Sequence, residues 1–264
     1  MSMNKYWSIV WAMINQSDVA LEVVDARFPS ICRSNRLEER VKEMDNCNLL
    51  VAINKADLVP KKHLDATIEW FKRDEDIHAI GVSATQRLGT SRIFKEILRA
   101  SKRKKANVAV VGFPNTGKSS LINRLRGKKA ASTAPVAGHT RGHQKINVSN
   151  SITMFDTPGI LPVKLPMKHQ YLLGVIRITK LKDPIDVVYQ LVDQFEAISP
   201  NLIYDHYNLD RNYDDLLDNL AIKQNRVRKG GEPDIHEAAI ILLRDHVRGD
   251  IPILEDISNP LRYE

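Results

Sequence analysis

The chain has 264 residues, of which 43% are hydrophobic and 27% charged. That is more than one average domain needs and apolar enough to bury a core, with a charge content ordinary for a soluble protein. Two cysteines, Cys32 and Cys47, without CxxC spacing argue against a disulfide framework and read as reduced, buried thiols of a cytoplasmic protein. The apolar run Ile9–Ile14 is too short to cross a bilayer and reads as the buried face of a first helix, so no membrane span is expected.

The net charge of +7 is unevenly spread. Residues 1–164 hold 27 Lys/Arg against 15 Asp/Glu, and residues 165–264 hold 12 against 17. The basic front part favours contact with a polyanion; a solvated lysine-rich surface is the alternative.

In chain order, strands are expected at 19–24, 49–53, 77–82, 108–111 and 152–155, with an edge strand at 143–148. Helical patterns lie between them near 34–45, 61–73, 90–101 and 118–126. Such alternation implies an α/β fold, a mostly parallel sheet with helices on both faces. The basic run Lys102–Lys105 reads as a helix C-terminus complementing the helix dipole, or as a nucleic-acid contact. From 165 onward the strand pattern stops. Helices are expected at 167–178, 184–197, 200–208, 213–223 and 233–247, with Pro184 and Pro200 at first helical positions. The organisation expected is a nucleotide-binding domain over 1–164 and a small all-helical domain over 165–264.

Gly112–Ser119 (GFPNTGKS) fits GxxxxGK[ST] and sits between a strand and a helix, the context that the P-loop requires. Its glycines let backbone N–H groups curl round an anion at a helix N-terminus. Lys118 is expected at the β- and γ-phosphates, Ser119 on Mg²⁺, and Thr116, Gly117 and Ser120 in the same nucleotide-binding set. Asp156–Gly159 (DTPG) follows a strand, so Asp156 can hold Mg²⁺ and the Gly159 N–H can sense a γ-phosphate. Thr140 lies in a glycine-punctuated loop, Gly138–Gly142, that can order when Thr140 reaches Mg²⁺. Lys118, Thr140 and Gly159 are thus the candidate catalytic set.

Asn54–Asp57 (NKAD) ends another strand. Asp57 can accept two hydrogen bonds from guanine that adenine cannot donate, and with ATP its charge would stand unpaired. Lys55 can lay its stem over the base, Asn54 can tie this loop to the P-loop, and Ser83–Ala84 can offer a backbone N–H to the guanine oxygen. The ligands expected are therefore GTP and GDP with Mg²⁺.

In ordinary GTPases the P-loop precedes NKxD. Here NKAD and Ser83–Ala84 come before the P-loop and DTPG. This order resembles the circularly permuted GTPases of the YlqF/YawG family, which act in ribosome assembly. Asp25–Arg27 resembles that family's DAR motif, and Lys229–Gly231 followed by Ile240–Asp245 resembles the end of its helical domain. The resemblance implies a Ras-like P-loop fold in permuted order, its former termini joined near Lys102–Lys105. It also implies an RNA-contacting helical domain and a ribosomal subunit, pre-ribosome or rRNA as partner, the large subunit above all, with the chain acting as a monomer. Bacterial members carry Gly-His-Met near the N-terminus; this sequence has Tyr6, Trp7 and Ser8, as an archaeal or divergent member would. The basic cluster Lys223, Arg226, Arg228 and Lys229 can touch phosphates or be a solvated loop.

After DTPG, where Ras-like proteins place a water-orienting Gln, stands Ile160, which predicts slow intrinsic hydrolysis. Asn115 matches an Asn that holds K⁺ in potassium-activated relatives; loop stabilisation is its other reading. Two functions follow. One is a GTPase that times an assembly step, stimulated by K⁺ and ribosomal particles. The other is a GTP-gated RNA- or protein-binding module in which hydrolysis is not essential. His206, His236 and His246 lack metal-ligand spacing and read as surface or satisfied core histidines.

Overall fold

The computed structural model describes residues 3–127, 144–160 and 165–260. Of these, 3–127, 144–160 and 257–260 belong to one compact unit and 165–256 to a second.

The first unit opens with α1 (Met3–Ile14), β1 (Val19–Asp25) and α2 (Asn35–Lys42). Then follow β2 (Asn48–Asn54), α3 (Lys61–Arg73), β3 (Ala79–Gly81) and α4 (Thr90–Ser101). It continues through β4 (Ala106–Val111), α5 (Lys118–Arg126), β5 (Gln144–Asn147) and β6 (Ile152–Asp156). The six strands make one sheet in the order β3-β2-β1-β4-β6-β5. All neighbours are parallel except β5, which runs antiparallel on the edge.

The side-chain alternation of the central strands decides which helix lies on which face. Val19, Leu21 and Val23 of β1 join Val108 and Val110 of β4 against Ile93 and Ile97 of α4 and Leu121, Ile122 and Leu125 of α5. The opposite residues, Ala20, Ala109 and Val111, pack against Val10, Trp11 and Ile14 of α1 and Leu37 and Val41 of α2. Ile9–Ile14 is thus a helix with its apolar stripe turned to the sheet. Cys32 and Cys47 are buried thiols outside any disulfide.

The strand expected at 77–82 is shorter than its apolar pattern. Ile77 instead returns its N–H to Phe71 O at the end of α3, so the strand is confined to Ala79–Gly81, flanked by bonds from Val51 N–H to His78 O and from Val82 N–H to Ile53 O. At Lys102–Lys105, Lys102 closes α4 in the left-handed region and Arg103 pairs with Asp18 at 2.7 Å.

The second unit holds α6 (Met167–Leu172), α7 (Pro184–Ile198), α8 (Leu202–Tyr207), α9 (Leu216–Lys223) and α10 (Ile235–Arg248). The helix expected over 167–178 stops early because Gly174 takes φ +59 beside Val247, whose Cγ2 would lie 2.9 Å from an added Cβ. Asp183 caps α7 as its position before Pro184 predicts, its carboxylate accepting from the N–H groups of Ile185 and Asp186. Pro200 does not open the next helix: Ser199 closes α7, and α8 starts at Leu202 after Asn201, itself at φ +63. His246 is buried in the core with its Nε2 hydrogen-bonded to Leu172 O at 2.7 Å, whereas His206 and His236 are exposed. Among the described residues no helix is long and apolar enough to cross a membrane, and no His/Cys/Asp/Glu group suits a metal by itself.

Candidate nucleotide site

Because β1, β2, β4 and β6 are parallel, their carboxyl ends share one edge, which carries Asp25, Asn54, the P-loop after Val111, and Asp156. Chain order reverses between β1 and β4, the topological switch point at which open α/β sheets leave a crevice for a ligand.

Gly112 leaves β4 at φ +138, with Val23 O only 2.4 Å from where a Cβ would stand. Gly117 precedes α5 at φ +92, and a Cβ there would lie 2.3 Å from Asn54 Nδ2. Only glycine admits this backbone and this proximity. Lys118 is buried and donates to Gly112 O at 3.0 Å and Phe113 O at 2.7 Å. Burial pushes its ammonium down to about 8, with Asp156 acting the other way. Thr116 is buried with its hydroxyl on Phe113 O; Asn115, at φ +64, Ser119 and Ser120 are exposed around the loop.

Ser119 Oγ donates to Asp156 Oδ2 at 2.8 Å. Asp156 Oδ1 is buried with no protein partner, and burial raises the carboxyl above its ordinary value despite Ser119 and Lys118. An unsatisfied buried oxygen beside a hydroxyl is what a hard divalent cation requires, so Ser119 and Asp156 fit Mg²⁺. Thr140 lies outside the described residues. Gly159 is exposed, and a Cβ there would come within 2.9 Å of Pro114 Cγ. Ile160 donates its N–H to Gly112 O at 3.2 Å and buries its side chain among Trp11, Val111 and their neighbours.

The base side is assembled from the other end of the sequence. Asn54 is buried; its Nδ2 donates to Thr116 O at 2.8 Å and its Oδ1 accepts from Ala84 N at 3.2 Å. One amide therefore joins three loops. The Ala84 N–H expected to face the guanine oxygen is engaged with Asn54, because the side chain that ties the loops together needs a donor for its own oxygen. Asp57 is exposed at the crest of a 3-10 turn, Ala56–Leu58, and its Oδ2 accepts from Thr85 Oγ1 at 3.0 Å. Ser83 Oγ lies 3.0 Å from that same Thr85 hydroxyl.

Thr85 and Arg124 escape sequence reasoning, and Asp25 enters it only through the DAR resemblance. Thr85 fixes the Asp57 carboxylate. Arg124 of α5 clamps the loop from below, with Nε donating to Ala84 O and Nη2 to Thr85 O at 3.1 Å. Asp25 pairs with Lys55 at 2.7 Å. A cavity of about 830 Å³ adjoins this edge, lined by Ala84, Thr85, Arg87, Ser120, Asn123 and Arg124 among others.

Residues 23–166 match the family described as RsgA GTPase, which is more than half of the chain, and residues 107–226 match the family described as 50S ribosome-binding GTPase. An uncharacterised GTP-binding protein of Methanocaldococcus jannaschii is 33% identical over 92% of this chain and 65% of its own length. Nucleolar GTP-binding protein 2 is 34% identical in Neurospora crassa and 31% in Saccharomyces cerevisiae, over 94% of this chain and 41% and 52% of theirs. The chain thus spans about two thirds or half the length of these curated relatives. GNP-bound YlqF from T. maritima shares the fold with a TM-score of 0.69 at 21% identity, over 97% of this chain and 99% of that one. With motifs in this order on this fold, the chain belongs to the circularly permuted P-loop GTPases, and the family described as RsgA GTPase matches it over more than half of its length.

Proposed function

We propose that this chain binds GTP and GDP with Mg²⁺, hydrolyses GTP slowly by itself, and serves as an assembly factor for a ribosomal subunit, the large one. The observation that carries the nucleotide part is Asn54. Its amide draws the guanine-type loop and the phosphate loop, 62 residues apart, onto one edge of the sheet. Asp57 reads the base, Lys55 covers its face, and Thr116, Gly117, Lys118, Ser119 and Ser120 surround the phosphates. When bound, Mg²⁺ neutralises charge on the β- and γ-phosphate oxygens from Ser119 and Asp156. Lys118 meets the developing charge, and Gly159 offers its N–H to the γ-phosphate; Thr140 is assigned to the cation from sequence alone.

Slow turnover rests on Ile160, whose apolar side chain is packed under α1 and has nothing with which to orient water. Asn115 at the loop crest is our candidate K⁺ ligand. The large-subunit reading is supported by the 50S ribosome-binding description of the matching family and by the nucleolar relatives. Exposed Lys223, Arg226, Arg228 and Lys229 are assigned to rRNA. The chain acts as a monomer where ribosomal particles assemble.

The test is turnover and co-sedimentation. GTP hydrolysis should rise in KCl over NaCl and rise again with large-subunit particles, and co-sedimentation should favour a non-hydrolysable GTP analogue over GDP. Equal rates in both salts remove K⁺. Particle binding indifferent to nucleotide removes the switch.

A further inference from the structure

We propose that Asp25 is the positioning residue for Lys55, and that Arg27 holds Asp25 in place for that task; the proposal rests on the guanine-nucleotide reading above. β1 and β2 are adjacent and in register at their ends, Asp25 beside Asn54. The carboxylate closing β1 therefore stands next to the first residue out of β2. That residue is Lys55, in the left-handed region at φ +61. Its Nζ lies 2.7 Å from Asp25 Oδ2, and its side chain keeps 22% of its surface exposed. The charged tip is anchored while part of the stem stays open.

Asp25 is itself fixed. Its Oδ1 accepts from the Arg27 N–H at 3.0 Å and Arg27 Nε at 3.1 Å, and its Oδ2 from Arg27 Nη2 at 2.9 Å. A guanidinium fork of this kind sets the orientation of a carboxylate, not merely its charge. The Asp25 N–H donates to Cys32 Sγ at 3.0 Å, tying the turn to the loop that follows. Burial alone would raise the Asp25 carboxyl, but Arg27 and Lys55 beside it hold it well below the usual carboxylate range.

One buried carboxylate thus faces two cations. Balancing Arg27 would need no lysine, and Arg27 alone would saturate a fork. Lys55 adds a contact that serves the base. An unanchored lysine stem samples many rotamers and must be ordered each time a purine arrives; anchoring its tip removes that ordering from the binding step. Asp25–Arg27 (DAR) thereby joins the nucleotide site as support for base recognition.

The experiment is a double-mutant cycle on the full chain, with GDP and GTP affinity read by calorimetry. Asp25→Asn keeps the shape and removes the charge. In the Lys55 background it should weaken both nucleotides by about tenfold, and by the same factor, because Lys55 serves the base that they share. In a Lys55→Met background the same change should shift affinity by less than about twofold. An equal effect in both backgrounds, or none in the first, overturns the proposal and leaves Asp25 as structural support for Arg27. If the wild-type chain binds no guanine nucleotide, the underlying reading fails first, and without recourse to any variant. Should Asp25→Asn fail to fold because Arg27 is left charged and buried, Asp25→Asn with Arg27→Gln takes its place in both backgrounds and is judged by the same two shifts.

Discussion

Replacing Gly117 by Ala tests the central link of the site. At φ +92 an L side chain is strained by roughly 1–2 kcal/mol. The new Cβ would stand 2.3 Å from Asn54 Nδ2, so Asn54 must move. That breaks its bond to Thr116 O and disturbs the one from Ala84 N, which leaves buried polar groups unsatisfied at about 1–3 kcal/mol. Alanine returns about 0.4–1 kcal/mol through its less flexible unfolded chain. The net loss is about 2–4 kcal/mol. The part carried by Asn54 should appear as nucleotide affinity weakened roughly 5- to 150-fold, since it uncouples the base loop from the phosphate loop. Gly231→Ala is the control: φ is +86, nothing stands within 4 Å of the added Cβ, and only strain is introduced. GDP calorimetry and denaturant unfolding on both variants separate the two contributions. If Gly117→Ala binds GDP within twofold of wild type, the Asn54 linkage does not couple the loops and the reasoning is refuted.

Asp156→Asn should raise the Mg²⁺ needed for half-maximal tight GTP binding by about tenfold or more, while Mg²⁺-free GDP binding changes little; an unshifted Mg²⁺ titration would place the cation elsewhere. Lys118 titrates near 8 when folded against 10.5 unfolded, so its contribution to stability is present above 10.5 and lost as pH falls through about 8. The nucleotide-free chain should therefore gain stability from pH 8 to 10 relative to Lys118→Met. GDP binding at pH 8 should take up roughly half a proton, readable from calorimetry in buffers of different ionisation heat. Ile160→Ala should cost about 2–4 kcal/mol by opening a cavity under α1, with turnover unchanged within twofold; a large change in rate would mean that Ile160 acts on the phosphate. Arg124→Ala should release Ala84 O and Thr85 O and weaken guanine nucleotides several-fold without admitting ATP, as competition assays would show.

The motifs were legible because each reports a backbone requirement. Gly112 and Gly117 stand where positive φ and close packing admit no side chain, and NKAD and DTPG stand at the ends of short apolar runs that read as strands. The break at Gly174 was not legible. It depends on Val247, which no local pattern can announce. Nor was the true start of α8, since Pro200 favours a first helical turn whereas the chain turns through Asn201. Thr85 and Arg124 give no local signal for a related reason: a threonine in a loop and an arginine on a helix carry no signature until a neighbour is supplied.

The sequence by itself determined the motif order, the strand–loop–helix setting of the P-loop, and the apolar Ile160 after DTPG. From these came the permuted GTPase reading with its slow turnover. Tertiary structure decided how the pieces support one another. Asn54 reaches Thr116 across 62 residues, Arg124 reaches Ala84 across 40, and Lys55 reaches Asp25 across 30. Such contacts exist only because parallel strands β1, β2 and β4 bring their carboxyl ends to one edge. Residue type and spacing record what a backbone can do locally; which side chains meet is set by strand order, which the chain acquires only on folding.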